Sequence, residues 1–274
     1  MVDEKLRFMQ KEIYKILEVF KEKCEENNLR YFLFYGTLLG AIRHDGFIPW
    51  DDDIDLAMPR PDYEKFISLF KEHFTDDYYL DGYNCNRYES FSPNFRINDS
   101  KLLLRKDKEH QEHYICAFIS IWPVDGMVDN KFIQKLSVYR RRFRYGLLRA
   151  ARSSRNGLDK GLNRSAKEKF FVGINRVFKL GKLLTPGKAA AHFNKLCMKY
   201  DYDKSPYCQV GYDPVMTLPK RVLEGTISHL FEESQFAVPE RYDELLTMCY
   251  GDYMQLPPEE QRHPLHSTEF KIVK

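Results

Sequence analysis

A short segment early in the chain contains four aspartates within five residues. Asp51, Asp53 and Asp55 are separated by Asp52 and Ile54. Because alternate side chains of an extended strand share a face, this spacing predicts three carboxylates on one face and Asp52 with Ile54 on the other. Carboxylates on one face repel one another, and a divalent cation would offset that repulsion. Hard oxygen ligands at this spacing suit Mg²⁺ or Mn²⁺.

The neighbouring residues help to decide whether the aspartates form a site. A solvated acidic turn, or aspartates that cap a helix before Pro61, would explain the run alone. The apolar Ile54 and Leu56 favour a half-buried strand instead. Upstream, Gly36 and Thr37 follow a predicted buried strand and open a predicted helix, where the glycine, the hydroxyl and the amide groups suit a phosphate. A phosphate cradle followed by carboxylates on a strand predicts metal-assisted phosphoryl transfer.

The motifs around these residues resemble the LicD-type phosphotransferases, a group that includes phosphocholine transferases, fukutin and the fukutin-related protein. The similar runs are Gly36-Thr-Leu-Leu-Gly-Ala-Ile-Arg-His44, Asp45-Gly-Phe-Ile-Pro-Trp-Asp-Asp-Asp-Ile-Asp55 and Met58-Pro-Arg-Pro-Asp-Tyr63. A second run, Tyr250-Gly-Asp-Tyr-Met-Gln-Leu-Pro-Pro-Glu-Glu260, resembles the closing motif of the family. The first match is highly specific and the second moderately so. Because they lie near opposite ends, the resemblance covers nearly the whole chain.

The resemblance implies an α+β, nucleotidyltransferase-like fold, in which a mixed sheet is flanked by helices. It also implies a CDP-activated donor, such as CDP-choline or a CDP-polyol, whose phosphate-linked group passes to a glycan hydroxyl with release of CMP. By position, Gly36 and Thr37 cradle the donor phosphate, and Asp53 and Asp55 bind Mg²⁺ or Mn²⁺. Asp51 is an additional ligand or an acceptor-side base.

Arg43 and His44 stand in the same motif and are further candidates for donor binding. The planar guanidinium of Arg43 could grip a phosphate. His44 either contacts the donor phosphate or the acceptor, or is a surface histidine. Trp50 is expected to pack beside the site, although a choline trimethylammonium would also suit its aromatic face.

One position departs from the family pattern. Where LicD-like chains are expected to carry Ile-Asp-Ile-Phe-Pro-Leu-Asp-Gly, this chain has Ile119-Ser-Ile-Trp-Pro-Val-Asp-Gly126. Ser120 therefore stands at the expected third carboxylate, and serine is a poor base and a weak Mg²⁺ ligand. Either Asp125 or Asp51 covers that role, or the activity is altered. We expect an active enzyme because the rest of the site is intact.

Hydrophobic periodicity divides the chain into three parts. Together with the resemblance, this division predicts a nucleotidyltransferase-like catalytic core at residues 1–126, a basic helical region at 127–204, and a C-terminal segment at 205–274 that completes the site. Helices are predicted at residues 3–28, 38–43, 61–74, 131–151, 166–183, 188–200 and 242–250, with a loop at 153–157. Strands are predicted at residues 31–35, 53–58, 78–80, 94–97, 102–105 and 114–121.

Positive charge is concentrated in one segment. Residues 139–182 contain 14 Lys and Arg against two acids, a balance of +12, so the net charge of +3 leaves about −9 for the rest. A solvated helix face is one interpretation. The alternative is peripheral docking on an anionic membrane, which would bring a lipid-linked glycan acceptor to the site.

Six widely spaced cysteines without a CxxC pair indicate neither a zinc site nor a redox motif. The charged N-terminus and the absence of a spanning apolar run predict a cytoplasmic protein, peripheral to the inner face of the membrane. Two rival functions remain open. One is a nucleotidyltransferase acting on a small molecule or RNA, and the other is a non-catalytic module that binds a membrane or polyanion. We expect no nucleic-acid partner.

Overall fold

The computed structural model describes residues 4–87, 95–106, 113–156, 185–212, 215–264 and 269–272, which form a mixed sheet flanked by helices. The predicted α+β fold is confirmed. The helices are α1 (Glu4–Glu26), α2 (Tyr35–His44), α3 (Arg60–Phe70), α4 (Lys131–Asn156), α5 (Pro186–Cys197) and α6 (Tyr242–Tyr250). The strands are β1 (Phe32–Leu33), β2 (Ile54–Pro59), β3 (Tyr78–Asp81), β4 (Phe95–Lys106), β5 (His113–Met127), β6 (Tyr207–Val210), β7 (Met216–Pro219), β8 (Thr226–Phe231), β9 (Ser234–Pro239) and β10 (Glu269–Ile272).

The central strands run in the order β1-β2-β5-β4-β10, and β2 and β5 are parallel. Strands β3 and β10 pair with successive parts of β4, while β6 pairs with the end of β5 and with β7. Strands β8 and β9 form a separate hairpin. The C-terminal part of the chain therefore extends the same sheet as the predicted core, and the three-part division stays a prediction.

Strand alternation separates a core face of the sheet from a polar one. Ile54 pairs with Ile119 and Leu56 with Ile121, and all four are completely buried. Asp55 pairs with Ser120 between them. Register partners in neighbouring strands share a face, so Asp55 and Ser120 lie together on the opposite side of the sheet.

The structure differs from the predicted elements around the first motif. The strand expected at residues 31–35 is shortened to β1, and the helix expected from residue 38 already begins at Tyr35. Tyr35 adopts a left-handed φ of 43°, which ends the strand and turns the chain into α2. Gly36 and Thr37 consequently lie in the first turn of the helix.

Two further differences concern longer elements. The strands expected at 94–97 and 102–105 are one strand, β4, with an irregular register between Asp99 and Leu103. The prediction of a loop at residues 153–157 is wrong for residues 153–156, because α4 continues to Asn156. The helix expected at 166–183 lies outside the described residues. Among the described helices, none is long and apolar enough to cross a bilayer.

A buried ion-pair network joins α3, β5 and α4. Asp125 is 1% exposed; one carboxylate oxygen accepts from Arg60 Nε at 2.6 Å and the other pairs with Arg141 Nη1 at 2.9 Å. Arg60 also reaches Glu64 at 2.9 Å. Both arginines are buried, so Asp125 is the group that compensates their charge at this junction.

Replacing Asp125 with alanine would leave two buried guanidinium groups without their shared partner. We expect a loss of about 3–5 kcal/mol in the free energy of unfolding, measured by urea denaturation. The matched control is Asp76→Ala, at a fully exposed carboxylate, which should change stability by less than about 0.5 kcal/mol. Equal stability of the two variants would contradict a structural role for Asp125.

Candidate active site

The acidic turn before β2 gathers three carboxylates. Ligand oxygens of Asp51, Asp52 and Asp53 all lie within 4.8 Å of one another. The prediction that Asp52 points away from its neighbours is wrong, because β2 begins only at Ile54 and strand alternation does not govern the residues before it. Asp52 is 1% exposed, yet its carboxylate joins the group. Among the residues that the structure describes, these three aspartates are the set of acidic, histidine or cysteine side chains close enough together to hold a metal ion.

The electrostatics of this turn favour a cation. Burial, followed by the negative charges of Asp53, Asp55 and Asp52, raises the pKa of Asp51 well above its ordinary value. The carboxyl is thus held where its ionised form is disfavoured. A divalent cation among these oxygens would remove that penalty, and hard oxygen donors of this kind fit Mg²⁺ or Mn²⁺.

Gly36 brings the start of α2 against the acidic turn. A Cβ atom built on Gly36 would lie 2.7 Å from Asp51 Oδ2, so only glycine allows this approach. Phe34, the N-cap residue, has no side chain that could accept from the first-turn amides of α2. The helix therefore presents amide donors beside the carboxylates, as a phosphate site requires.

Thr37 and Trp122 fix Asp55 from two sides. The Thr37 hydroxyl oxygen accepts a hydrogen bond from the Asp55 backbone N–H at 2.8 Å. The indole Nε1–H of Trp122 donates to Asp55 Oδ1 at 2.7 Å. Ser120 is the β5 partner of Asp55, and it is 3% exposed. The residue at the position of the expected third carboxylate thus lies beside Asp55, on the same face of the sheet.

Trp122 is a site residue that the sequence analysis missed. Its position two residues after Ser120 was the available signal, because residues two apart in a strand share a face, but the predicted strand ended at residue 121. The Trp122 ring also packs against Tyr35, at 5.5 Å between centroids, and stacks on Tyr212 at 5.0 Å. The indole is held by these rings in the orientation that reaches Asp55.

The C-terminal motif reaches the same acidic cluster. Burial, then Cys249 and the carboxylates of Asp55, Asp51 and Asp53, raise the pKa of Tyr250 above its usual range. The phenol is therefore protonated throughout the physiological pH range and can donate a hydrogen bond. The predicted closing motif, although it lies some two hundred residues downstream, packs against the first motif, and its Tyr250 lies within the electrostatic influence of the carboxylates.

Two residues distant in sequence hold the backbone of the acidic turn. Gln10, buried on α1, donates through Nε2 to the carbonyl oxygen of Asp51 at 2.8 Å. Glu232, at the β8–β9 turn, accepts from the Phe47 N–H at 3.1 Å and from Arg7 on α1. Neither residue lies in a motif, so no local pattern pointed to their contacts with this segment.

The four residues predicted for donor binding are split between the ends of α2. Gly36 and Thr37 lie in its first turn, beside the carboxylates. Arg43 and His44 lie in its last turn, where Arg43 Nη1 donates to the carbonyl oxygens of Tyr253 at 2.8 Å and Gln255 at 3.4 Å. Seven residues of helix separate Gly36 from Arg43, a rise of about 10 Å. Arg43 fastens the C-terminal motif to α2, and its part in donor binding stays a prediction.

His44 lies against the same C-terminal segment. Burial, and then the neighbouring Arg43 charge, lower the pKa of the imidazole below its usual value, so His44 is neutral at physiological pH. Its ring lies 6.4 Å from that of Trp50, edge to face. Trp50 also faces the Arg262 guanidinium at 5.7 Å, in agreement with its predicted role in packing.

Asp125 does not join the acidic cluster. It lies five residues beyond Ser120 on β5, roughly 17 Å along the strand, and both carboxylate oxygens are engaged by arginines. The alternative that Asp125 replaces the third carboxylate is therefore wrong. Asp51, which the sequence analysis also considered for that role, is the carboxylate that lies inside the cluster.

Carboxylates gathered at the start of a central strand, beside an uncapped helix N-terminus, define the phosphoryl- or nucleotidyl-transfer class of site. The sequence model of the LicD/FKTN/FKRP nucleotidyltransferase domain matches residues 28–145. The chain is also 31% identical over 280 residues to a lipopolysaccharide cholinephosphotransferase LicD of Haemophilus influenzae, and 98% of each chain is covered. The chain belongs to the LicD family, and the predicted resemblance is confirmed.

Two partial similarities concern proteins of Rickettsia. An uncharacterized protein of Rickettsia typhi is 36% identical over 63 residues, which cover 22% of this chain and 20% of that protein. An uncharacterized protein of Rickettsia prowazekii is 42% identical over 50 residues, which cover 18% and 19% of the two chains. These matches are short and carry no statement about activity.

A methyl group at residue 36 should disturb the acidic turn without unfolding the protein. In Gly36→Ala, the Cβ would displace the Asp51 carboxylate, and we expect the affinity for Mn²⁺, measured by calorimetry, to fall about 10-fold. Gly187→Ala is the matched control, because a Cβ at Gly187 meets no atom within 4 Å. Unchanged Mn²⁺ affinity in Gly36→Ala would show that the approach of α2 to Asp51 does not shape a metal site.

Proposed function

We propose that this chain transfers a phosphocholine-like group from a CDP-activated alcohol to a hydroxyl of a glycan or lipid-linked glycan, with release of CMP. The observation that carries the proposal is the contact of the Asp51 carboxylate with the glycine-opened start of α2. It places a candidate cation site and a candidate phosphate site side by side. The similarity over nearly the full length to a lipopolysaccharide cholinephosphotransferase supports the choice of group and acceptor.

The residues of the acidic turn fit a divalent cation. Asp51 and Asp53 offer carboxylate oxygens within 4.8 Å of each other, and Asp55 contributes to the same negative field. We assign Mg²⁺ or Mn²⁺ to Asp51, Asp53 and Asp55, with Asp52 as a further ligand. When bound, such an ion would offset the charge of the donor diphosphate and of the departing CMP.

The other groups of the site bind and orient the donor. The first-turn amides of α2 face the side where a phosphate would lie, and the Thr37 hydroxyl hydrogen can donate while its oxygen holds Asp55. Trp122 fixes one oxygen of Asp55 through a hydrogen bond from its indole N–H. The site thus holds the transferred phosphorus between the helix terminus and the carboxylates, as positioning catalysis requires.

Transfer needs a base for the acceptor hydroxyl. Asp51 is the proposed base, since its carboxylate lies against the start of α2, beside the proposed phosphate site. The acceptor oxygen forms a bond to the phosphorus, the bond from the phosphorus to the CMP oxygen breaks, and the acceptor proton passes to Asp51. CMP leaves with the bonding electron pair.

The direct test is release of CMP from a panel of CDP-alcohols in the presence of Mg²⁺ and glycan acceptors. We expect release from a CDP-alcohol by the wild type and a loss of roughly 100-fold or more in Asp53→Asn. Asp76→Asn, at a fully exposed carboxylate, serves as the control and should retain activity. Release of pyrophosphate from nucleoside triphosphates, without CMP release, would support a nucleotidyltransferase instead and contradict the proposal.

The hydrogen bond from Trp122 to Asp55 gives a second test. Trp122→Phe keeps a ring against Tyr35 and Tyr212 but removes the N–H donor. A hydrogen bond to a charged group contributes about 1.5–3 kcal/mol, so we expect the rate of CMP release to fall about 10- to 100-fold. The midpoint of thermal unfolding should fall by roughly 3 to 10 °C, so the variant is assayed well below that temperature, where it is folded. Full activity of this variant would mean that the indole does not orient Asp55 for the reaction.

A further inference from the structure

The outward side of α4 carries a row of exposed aromatic residues. Phe132 is 75% exposed, Tyr139 69% and Phe143 61%. Their spacing of seven and then four residues places all three within about 40° of one another around the helix axis. Isolated exposed apolar residues are ordinary on a protein surface, but a row along one helix indicates an interaction surface.

The opposite side of α4 packs against the rest of the protein, so the aromatic row faces outward. Gln134, Arg141 and Leu148 are buried at seven-residue intervals. Gln134 donates to the carbonyl oxygen of Val128 at 3.0 Å, and Arg141 pairs with Asp125 at 2.9 Å. Burial of this side leaves Phe132, Tyr139 and Phe143 without a role in the core.

Positive charge flanks the aromatic row on both sides. Between residues 131 and 151 the helix contains seven Lys and Arg and no Asp or Glu. Arg141 is buried in the ion pair with Asp125, whereas five others are exposed. The exposed basic residues nearest the row are Lys131, Lys135, Arg140, Arg142 and Arg144.

We propose that this surface, the α4 outer face formed by the three aromatic and five basic residues named above, lies on an anionic phospholipid bilayer. Aromatic side chains settle at the level of the headgroups, and flanking lysines and arginines are attracted to anionic lipids. A straight row on one helix side fits a plane, and the face from Lys131 to Arg144 offers about 20 Å of length to it. The inference goes beyond the proposed function, because it does not depend on the transferred group.

The inward side of α4 is connected to the active site. Tyr145, on the same helix, packs on Tyr212 at 4.5 Å between centroids, and Tyr212 stacks on Trp122 at 5.0 Å. Trp122 donates to Asp55. With α4 docked on a bilayer, the helix itself and this short chain of aromatic contacts would lie between the membrane surface and the acidic cluster.

The test is sedimentation of the full chain with vesicles of phosphatidylcholine alone or of phosphatidylcholine with phosphatidylglycerol, at low salt. We expect binding to the anionic vesicles and little to the neutral ones. The triple variant Phe132→Ser/Tyr139→Ser/Phe143→Ser should bind the anionic vesicles at least about 10-fold more weakly. Leu69→Ser/Ile227→Ser/Leu230→Ser removes three exposed apolar side chains elsewhere and is the matched control.

The charge contribution is tested separately. Lys131→Gln/Lys135→Gln/Arg140→Gln/Arg144→Gln should weaken binding to anionic vesicles by about 10-fold or more. Lys15→Gln/Lys65→Gln/Lys71→Gln/Lys204→Gln, at exposed lysines of other elements, removes the same charge and should bind better than the α4 variant. Circular dichroism confirms that each variant is folded.

The inference would be overturned by wild-type binding that is equal on neutral and anionic vesicles, or by α4 variants that bind as well as their controls. Binding to double-stranded nucleic acid without binding to anionic vesicles would also overturn it, in favour of a nucleic-acid surface. Release of CMP with a soluble acceptor should be unchanged in the α4 variants. Failure of membrane binding is thereby distinguishable from failure of the proposed function.

Discussion

Mutual repulsion among the carboxylates of residues 51–55 is the constraint around which the rest of the site is arranged. Four aspartates stand within five residues, and burial with this crowding raises the pKa of Asp51. A turn under such repulsion would open unless other groups held it. Gln10 holds its backbone from α1, and Thr37 holds the backbone N–H of Asp55 from α2. These contacts are neutral, so they keep the geometry without removing the negative charge that a cation would need.

The contrast with Asp125 shows how partners decide what an aspartate does. Asp125 is as buried as Asp52, but arginines engage both of its oxygens and it joins three elements of the fold. Among the described residues, the carboxylate of Asp51 has a backbone amide, a glycine and other carboxylates as neighbours. A buried carboxylate that is paired with arginines holds elements of the fold together. A buried carboxylate among other carboxylates changes its charge state when a cation binds.

Local patterns predicted the parts of the site that lie within one motif, and missed those that join distant segments. The Gly36-Thr37 turn and the aspartate run were predicted because backbone approach, helix termini and carboxylate spacing are local properties. The orientation of Asp52 was not, because strand alternation was extended two residues before the strand begins. Trp122 and Gln10 were missed because their contacts with the site depend on the strand order and on the packing of α1. Neither of these structural features can be predicted from a local sequence motif.

The serine at position 120 can be understood from the same balance of charge. It is the β5 partner of Asp55, on the face where the acidic cluster lies, so an aspartate there would add one more negative charge to carboxylates that already oppose the ionisation of Asp51. The turn brings three carboxylates together by itself, since Asp52 joins Asp51 and Asp53. A carboxylate from β5 is then not needed to complete a set of three oxygen donors, and a small neutral side chain leaves the indole of Trp122 free to reach Asp55. In this chain the three candidate oxygen donors lie in one turn, and the neighbouring strand β5 supplies an indole N–H that orients Asp55.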